Sequence, residues 1–273
     1  MEKQNIKVKV WRRFIIFVVA LYLLLPIASM VNFSFKDFVG KWSLVSWRAI
    51  FSPDNADLKS AMFISLELAA IVIALVFVLV VPTVVWVHLK LPKLRRPLEL
   101  ICLLPLASPG IVLVVGVASI YRWISIHISE SPLMLAGVYS MLILPYTYRS
   151  LSAALNAVDV HTLSEASRTL GASTYKMLVG VIMPTIRSGV MSGTVISIAL
   201  VLGEYTISSL LNYQTLQVQI SLIGQTDGHI AVAISLAALL FVFILLALIP
   251  TNSTYKKELV EEPAPALPTA VEA

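Results

Sequence analysis

The sequence predicts an all-α integral membrane protein with six spanning helices. Three observations carry that expectation: a composition rich in apolar residues, six long stretches almost free of charge, and basic residues gathered on one side. Hydrophobic residues fill 58% of 273 positions and charged residues only 13%, against about 45–50% and about 25% in soluble domains. So few polar side chains do not cover a soluble body of this size, and a mean hydropathy of +0.89 agrees. The apolar excess also excludes a disordered chain. A net charge of +5 and a pI near 9.3 would suit a nucleic-acid binder, but the basic residues lie between the apolar stretches. Cys102 is the only cysteine, so the chain holds neither a disulfide framework nor a cysteine-based metal cluster.

A hydrocarbon core of about 30 Å requires about 20 mostly apolar residues per helix. Stretches without Asp, Glu, Lys or Arg cover residues 14–35, 68–89, 100–121, 131–148 and 228–255, and a sixth, roughly 188–211, is interrupted only by Glu204. The first follows a basic tail, residues 1–13. A signal peptide would look similar, but this apolar run exceeds a usual h-region and Ala28-Ser29-Met30 is a poor cleavage site, so an uncleaved span is expected. The loop after it carries Phe33, Phe35, Phe38, Trp42, Trp47 and Phe51, which suits an aromatic belt at the lipid–water boundary or a surface that receives a partner protein. Glu67 stands at the outer end of the second span, as a snorkelling interface residue or a second carboxylate lining a path. The third span is broken at Ser108-Pro109-Gly110, a hinge or a packing kink. Pro26, Pro82, Pro105 and Pro145 also fall in or at the ends of spans, where neighbouring helices satisfy the freed carbonyls. After the transmembrane domain, residues 14–255, the acidic Pro/Ala-rich segment 256–273 reads as a disordered cytoplasmic tail.

Fifteen of the twenty basic residues lie in the first tail, in the second-to-third and fourth-to-fifth connections, and in the last tail. The other five are Lys36, Lys41, Arg48, Lys59 and Arg122. The positive-inside rule then places both termini in the cytoplasm, as an even number of spans also requires.

Residues 149–187 form the one long connection, on the basic side. Thr162 and Glu165 have capping-box spacing, which predicts a helix starting there, and Gly171 suits the left-handed residue that ends it. A second short helix is expected from about Ser173 to about Met183, before Pro184. Leu163, Ala166 and Leu170 line up at helical spacing as a small apolar ridge that something must cover. A helix resting on lipid would offer more apolar surface and more basic residues.

Within this connection Glu165-Ala166-Ser167, then Gly171, then Val181, Met183 and Pro184 resemble the cytoplasmic pattern of bacterial ABC importer permeases: Glu-Ala-Ala, Gly, and Ile-x-Leu-Pro at the same intervals. Ser, Val and Met replace the family's Ala, Ile and Leu. The resemblance implies a MetI-like permease fold, with a coupling helix between spans four and five seated in a cleft of a separate ATPase subunit. It implies as partners an ATPase dimer, a second permease, homologous or identical, and an extracytoplasmic solute-binding protein. Glu165, Ala166, Ser167, Gly171 and Pro184 would carry the coupling. Glu204 sits in a polar patch of the fifth span with Tyr205, Thr206, Ser208 and Ser209. A carboxylate at membrane depth normally faces a bundle interior or a watery cavity, so Glu204 either lines the solute path or is a structural hydrogen-bonded group between helices. The second half of the chain is similar to spermidine/putrescine-type permeases, which carry an acidic residue at the matching place, and sulfate-type permeases share Gly-Glu-Tyr. The path residues implied are Glu204, Tyr205 and Ser208, and the solute implied is a polyamine, with phosphonate, thiamine, iron and sulfate as alternatives.

The chain itself offers no chemistry. It has no Gly-x-x-x-x-Gly-Lys-Ser/Thr phosphate loop, and His88, His127, His161 and His229 lack metal-ligand spacing, so no cofactor is expected and ATP hydrolysis falls to a partner. A secondary transporter would need internal repeats and ion-coupling groups at mid-membrane, and a membrane enzyme would need clustered polar residues near one face.

Overall fold

The computed structural model describes residues 2–37 and 39–248. Their regular structure is helical apart from one isolated β-bridge between Lys36 and Trp42. In chain order the helices are α1 (Glu2–Ser34), α2 (Val45–Ala49), α3 (Ala56–Lys90), α4 (Arg95–Ala107), α5 (Gly110–His127), α6 (Ala136–Asn156), α7 (Val160–Thr169), α8 (Thr174–Met177), α9 (Met183–Thr185), α10 (Arg187–Gly203), α11 (Thr206–Leu210), α12 (Leu216–Thr226) and α13 (Gly228–Ala247). A π-helical turn, Leu178–Ile182, joins α8 to α9. Pro184 has no N–H to give to the carbonyl four residues back, and the backbone widens just before it.

Among the described residues, five helical segments are long and apolar enough to cross a membrane: Val8–Ser34, Ala56–Lys90, Gly110–His127, Arg187–Leu210 and Gly228–Ala247. The expected fourth span corresponds to α6. Its 21 residues rise about 31 Å at 1.5 Å each, but Tyr146, Thr147, Tyr148, Arg149 and Ser150 make its second half polar. Three boundaries differ from the sequence expectation. The second helix begins at Ala56, well before residue 68, because the polar turn through Asn55 starts it and Asp57 and Lys59 are tolerated near its end. The third span is Gly110–His127 rather than 100–121. Pro109 pushes the preceding residue out of the α region; Ser108 is extended, with ψ 123°, and separates α4 from α5. The fifth span is not continuous: Glu204 is also extended, with ψ 122°, between α10 and α11. The expected tail 256–273, the end of the sixth stretch beyond Leu248, and Phe38 lie outside the described residues.

α6 is the centre of the bundle and packs against α3, α4 and α10. With α10 it forms an antiparallel pair held close by small residues, the packing that operates where lipid removes the hydrophobic drive between helices. A side-chain carbon at Gly189 would lie 2.8 Å from the Ser150 carbonyl and run into Ala154. Ser150 donates to the Gly189 carbonyl at 2.6 Å, and Thr147 and Ser197 meet at 3.3 Å between their hydroxyls. Leu151, Leu155, Ile182 and Ile186 complete a core at the end that carries Arg95 and Arg187, called here the basic end. Tyr139, Ile143, Val201, Ile207 and Tyr213 belong to a second core toward the opposite end. α1 leaves most of its apolar side chains exposed and contacts α13.

Candidate functional site

Two short helices stand at the two ends of the α6–α10 pair, and they contain the residues singled out in the sequence. At the basic end, α6 turns through Ala157 into α7. The cap of α7 is Asp159, not Thr162: its carboxylate accepts the Thr162 N–H at 3.1 Å and the Thr162 hydroxyl at 2.6 Å. Those two hydrogen bonds hold the Asp159 carboxyl below its usual pKa range. Thr162 is therefore the third residue of the helix and not its start, because an Asp three residues earlier captures the free N–H first.

α7 closes as expected at Gly171, whose φ is +77°. The Ala172 N–H reaches the Ser167 carbonyl at 3.0 Å and the Gly171 N–H reaches the Arg168 carbonyl at 2.9 Å, the paired bonds of a Schellman end. The expected second helix runs from Thr174 to Thr185, through α8, the π-helical turn and α9 rather than as one regular α-helix. Ser173 caps it, accepting the Lys176 N–H at 3.3 Å, and α8 gives way to the π-helical turn after Met177.

The two faces of α7 differ. Val160, Ser164 and Ser167 are buried; the Ser164 hydroxyl meets the Met177 sulfur at 3.0 Å, and the Ser167 hydroxyl donates to the Leu163 carbonyl at 2.7 Å. Glu165 and Ala166 are exposed, and Leu170 is 87% exposed. Glu165, Ala166 and Gly171 thus share the outward side, whereas Ser164 meets Met177 of α8 and Ser167 is buried with its hydroxyl bonded inside α7. Pro184 lies apart from them, on the rim of a cleft of about 810 Å³ with Asp159, Leu163 and Arg187.

About 25 Å along α10, at 1.5 Å per residue, lies the helix break. Glu204 is half-buried, and its carboxylate accepts three hydrogen bonds: from the Tyr139 hydroxyl at 2.7 Å, the Ile207 N–H at 2.8 Å and the Ser208 N–H at 3.2 Å. The last two are the free N–H groups at the start of α11, so Glu204 does for α11 what Asp159 does for α7. Ser208 is buried, donates to the Tyr205 carbonyl at 3.1 Å and receives the Thr215 hydroxyl at 3.0 Å. Tyr205 instead leaves 45% of its surface exposed. α11 ends in a second Schellman arrangement. The Tyr213 N–H bonds to the Ser208 carbonyl at 2.8 Å and the Asn212 N–H to the Ser209 carbonyl at 3.2 Å, with Asn212 left-handed at φ 62°. Beyond it a polar cavity of about 450 Å³ is lined by Arg122, Ser125, Glu130 and Asn212. Glu67 is exposed on α3 and belongs to neither place.

Tyr139, Asp159 and Asn212 do not stand out from the sequence. Asp159 has a local signal, an acidic residue three positions before Thr162. Asn212 is one of the few residue types that tolerate a left-handed backbone, but nothing near it marks a helix end. Tyr139 is 65 residues from Glu204, and only the fold brings them together. Among the described residues no three His, Cys, Asp or Glu side chains converge as a metal site.

The described residues form a multi-helix apolar bundle that displays a capped helix, α7, at its basic end. Residues 81–251 match the family described as binding-protein-dependent transport system inner membrane component, and the chain belongs to that family, the membrane-embedded permease subunits of ABC importers. It is 29% identical over 203 residues to the spermidine/putrescine transport system permease protein PotC of Haemophilus influenzae, covering 72% of this chain and 77% of that protein. It is 30% identical over 210 residues to the molybdenum transport system permease protein ModB of Mycobacterium bovis and to that of Mycobacterium tuberculosis, covering 70% of this chain and 76% of each relative.

Proposed function

We propose that this permease moves a polyamine, spermidine or putrescine, through the membrane in six spans, with both termini and the basic end in the cytoplasm. α6 serves as the fourth span. In this reading α7 is the coupling helix: it enters a cleft of a separate ATPase with Glu165, Ala166 and Gly171, while Ser167 lies buried on its inner face and Pro184 sets the return into α10. The observation that carries this is the two-sidedness of α7, which buries Ser164 and Ser167 yet leaves Ala166 and Leu170 uncovered. A second permease, two ATPase subunits and an extracytoplasmic binding protein complete the importer, and ATP hydrolysis stays on the ATPase. The solute path passes the break at Glu204, Tyr205 and Ser208.

The PotC relative supports a polyamine. The ModB relatives support a second reading, transport of molybdenum, because their likeness to this chain is of the same degree. Uptake by the reconstituted importer, supplied with its binding protein, separates the two. Concentrative, ATP-dependent uptake of radiolabelled spermidine, competed by putrescine and not by molybdate, is expected. Uptake of molybdate without spermidine uptake would move the solute to the second reading, and uptake that ignores ATP would remove the importer reading altogether.

A further inference from the structure

Tyr139 has no place in the proposed coupling or path, yet it is buried to 1% exposure in the first turn of α6 and gives its hydroxyl to Glu204. We infer that the Tyr139–Glu204 hydrogen bond is the latch that holds the helix break shut, with Tyr139 a positioning residue that acts through Glu204 and with Glu204 a cap rather than a ligand for the solute.

The first support is how fully the carboxylate is used. Three donors converge on it, one from α6 and two from the start of α11, and hydrogen bonds to a charged acceptor are the strong ones. A carboxylate so occupied has little left to offer a passing solute. The second support is that two N–H groups at the start of α11, those of Ile207 and Ser208, end on Glu204. The helix is five residues long, too short to persist by itself, and these N–H groups depend on Glu204. At its C-terminal end the Asn212 turn fixes it against the polar cavity of Arg122 and Glu130. α11 is therefore a rigid peg with one releasable end.

The third support is connectivity. α6 and α10 lead, one on each side, from the 157–186 connection to the latch. Gly189 against Ser150 and Ala154, and Ser197 against Thr147, make them a closely packed pair. Tyr139 rides on α6 and Glu204 on the end of α10, so the hydrogen bond closes a loop whose opposite end is α7. A slide of α6 against α10 driven at α7 pulls on this bond. Breaking it leaves the buried Tyr139 hydroxyl without its acceptor, so the change is between two discrete states rather than a gradual bend.

The test uses the assembled complex with its ATPase, Cys102→Ser throughout, and Ile207→Cys as reporter. Ile207 is 1% exposed on the inner side of α11, so a membrane-impermeant maleimide reaches it slowly while the latch is shut. Without nucleotide, Tyr139→Phe and Glu204→Ala should each speed labelling about tenfold or more, the scale for losing one charge-assisted hydrogen bond. The double variant should label no faster than Glu204→Ala, because the two act on one bond. ATP should speed labelling of the parent and not of Tyr139→Phe, a readout that mere packing would not move. Glu204→Gln keeps at most two of the three bonds, loses the charge and turns an amide N–H toward a donor, so it should label faster than the parent and no faster than Glu204→Ala. Parental labelling in Tyr139→Phe, or additive effects in the double variant, would overturn the latch.

This inference assumes the permease reading but not its solute. In uptake assays with spermidine, Tyr139→Phe should lower transport per ATP hydrolysed with KM unchanged. A raised KM in Glu204→Gln together with parental labelling would make Glu204 a solute ligand and refute the latch. Absence of any spermidine uptake would sink the polyamine reading alone, since labelling requires no solute.

Discussion

α7 and α11 are built by the same local rules and placed in opposite surroundings. Each starts on an acidic side chain that accepts free N–H groups, Asp159 for α7 and Glu204 for α11. Each stops at a left-handed residue with the same two backbone bonds, at Gly171 and at Asn212. Asp159 is in solvent, where water replaces any hydrogen bond it gives up. Glu204 is half-buried with a buried tyrosine on it, where a lost partner is not replaced. The same carboxylate cap is thus a local convenience at one end of the α6–α10 pair and a structural necessity at the other.

The strongest way to break this comparison is to disturb the pair that joins the two ends. Gly189→Leu should prevent stable packing of α6 on α10, since overpacking of a tight contact costs about 1–3 kcal/mol or more. Gly180→Leu, which has open space around it, should be tolerated. Thermal melts of the purified permease in detergent separate the two. A Gly189→Leu protein that melts with the parent would show that the close approach is not needed.

The caps themselves come next. Glu204→Ala leaves two N–H groups and the Tyr139 hydroxyl without their acceptor and should lower stability by about 1–3 kcal/mol. Asp159→Ala should lower it clearly less, with melting temperature as the measure. Equal losses would erase the distinction between buried and solvated caps. At the other end of α7, Gly171→Val forces a β-branched residue to a φ of +77°, a strain of about 1–2 kcal/mol. Membrane insertion should remain while ATP-driven uptake is lost, and unchanged uptake would separate the Gly171 turn from coupling.

The smallest effect is a pH dependence. Asp159 has its folded pKa depressed by the Thr162 hydroxyl and N–H, so its contribution is present above the ordinary carboxylate pKa, about 3.9. It is lost as pH falls through the lower folded value. Hydrogen exchange at the Thr162 amide, corrected for the intrinsic pH dependence, should stay slow from pH 7 to about 4 and quicken below. Asp159→Asn should show no such change. Quickening between pH 7 and 5 would assign the titration to another group.

These two helices also show which parts of the fold were legible. α7 lay open in the sequence because its chemistry is local: Glu165-Ala166-Ser167 and Gly171 sit within one turn-and-cap pattern, and only its first residue shifted when Asp159 displaced Thr162 as the cap. The long apolar helices were legible for the same reason, since length and apolarity are local sums. The break at Glu204 was not. An apolar window does not reveal that one carboxylate has left the helix to cap the next. Tyr139 was the least legible of all, because a tyrosine in an apolar helix looks like any other until the α6–α10 packing sets its hydroxyl against Glu204.

The central claim, that the outward face of α7 docks the ATPase, is tested most directly by co-purification after Ala166→Arg. Ala166 is exposed, so an arginine there should leave the permease melting temperature unchanged while obstructing a partner's cleft. The account predicts that the parent permease retains its co-expressed ATPase through affinity purification in detergent and that Ala166→Arg does not. Equal retention of the ATPase by both proteins would contradict it.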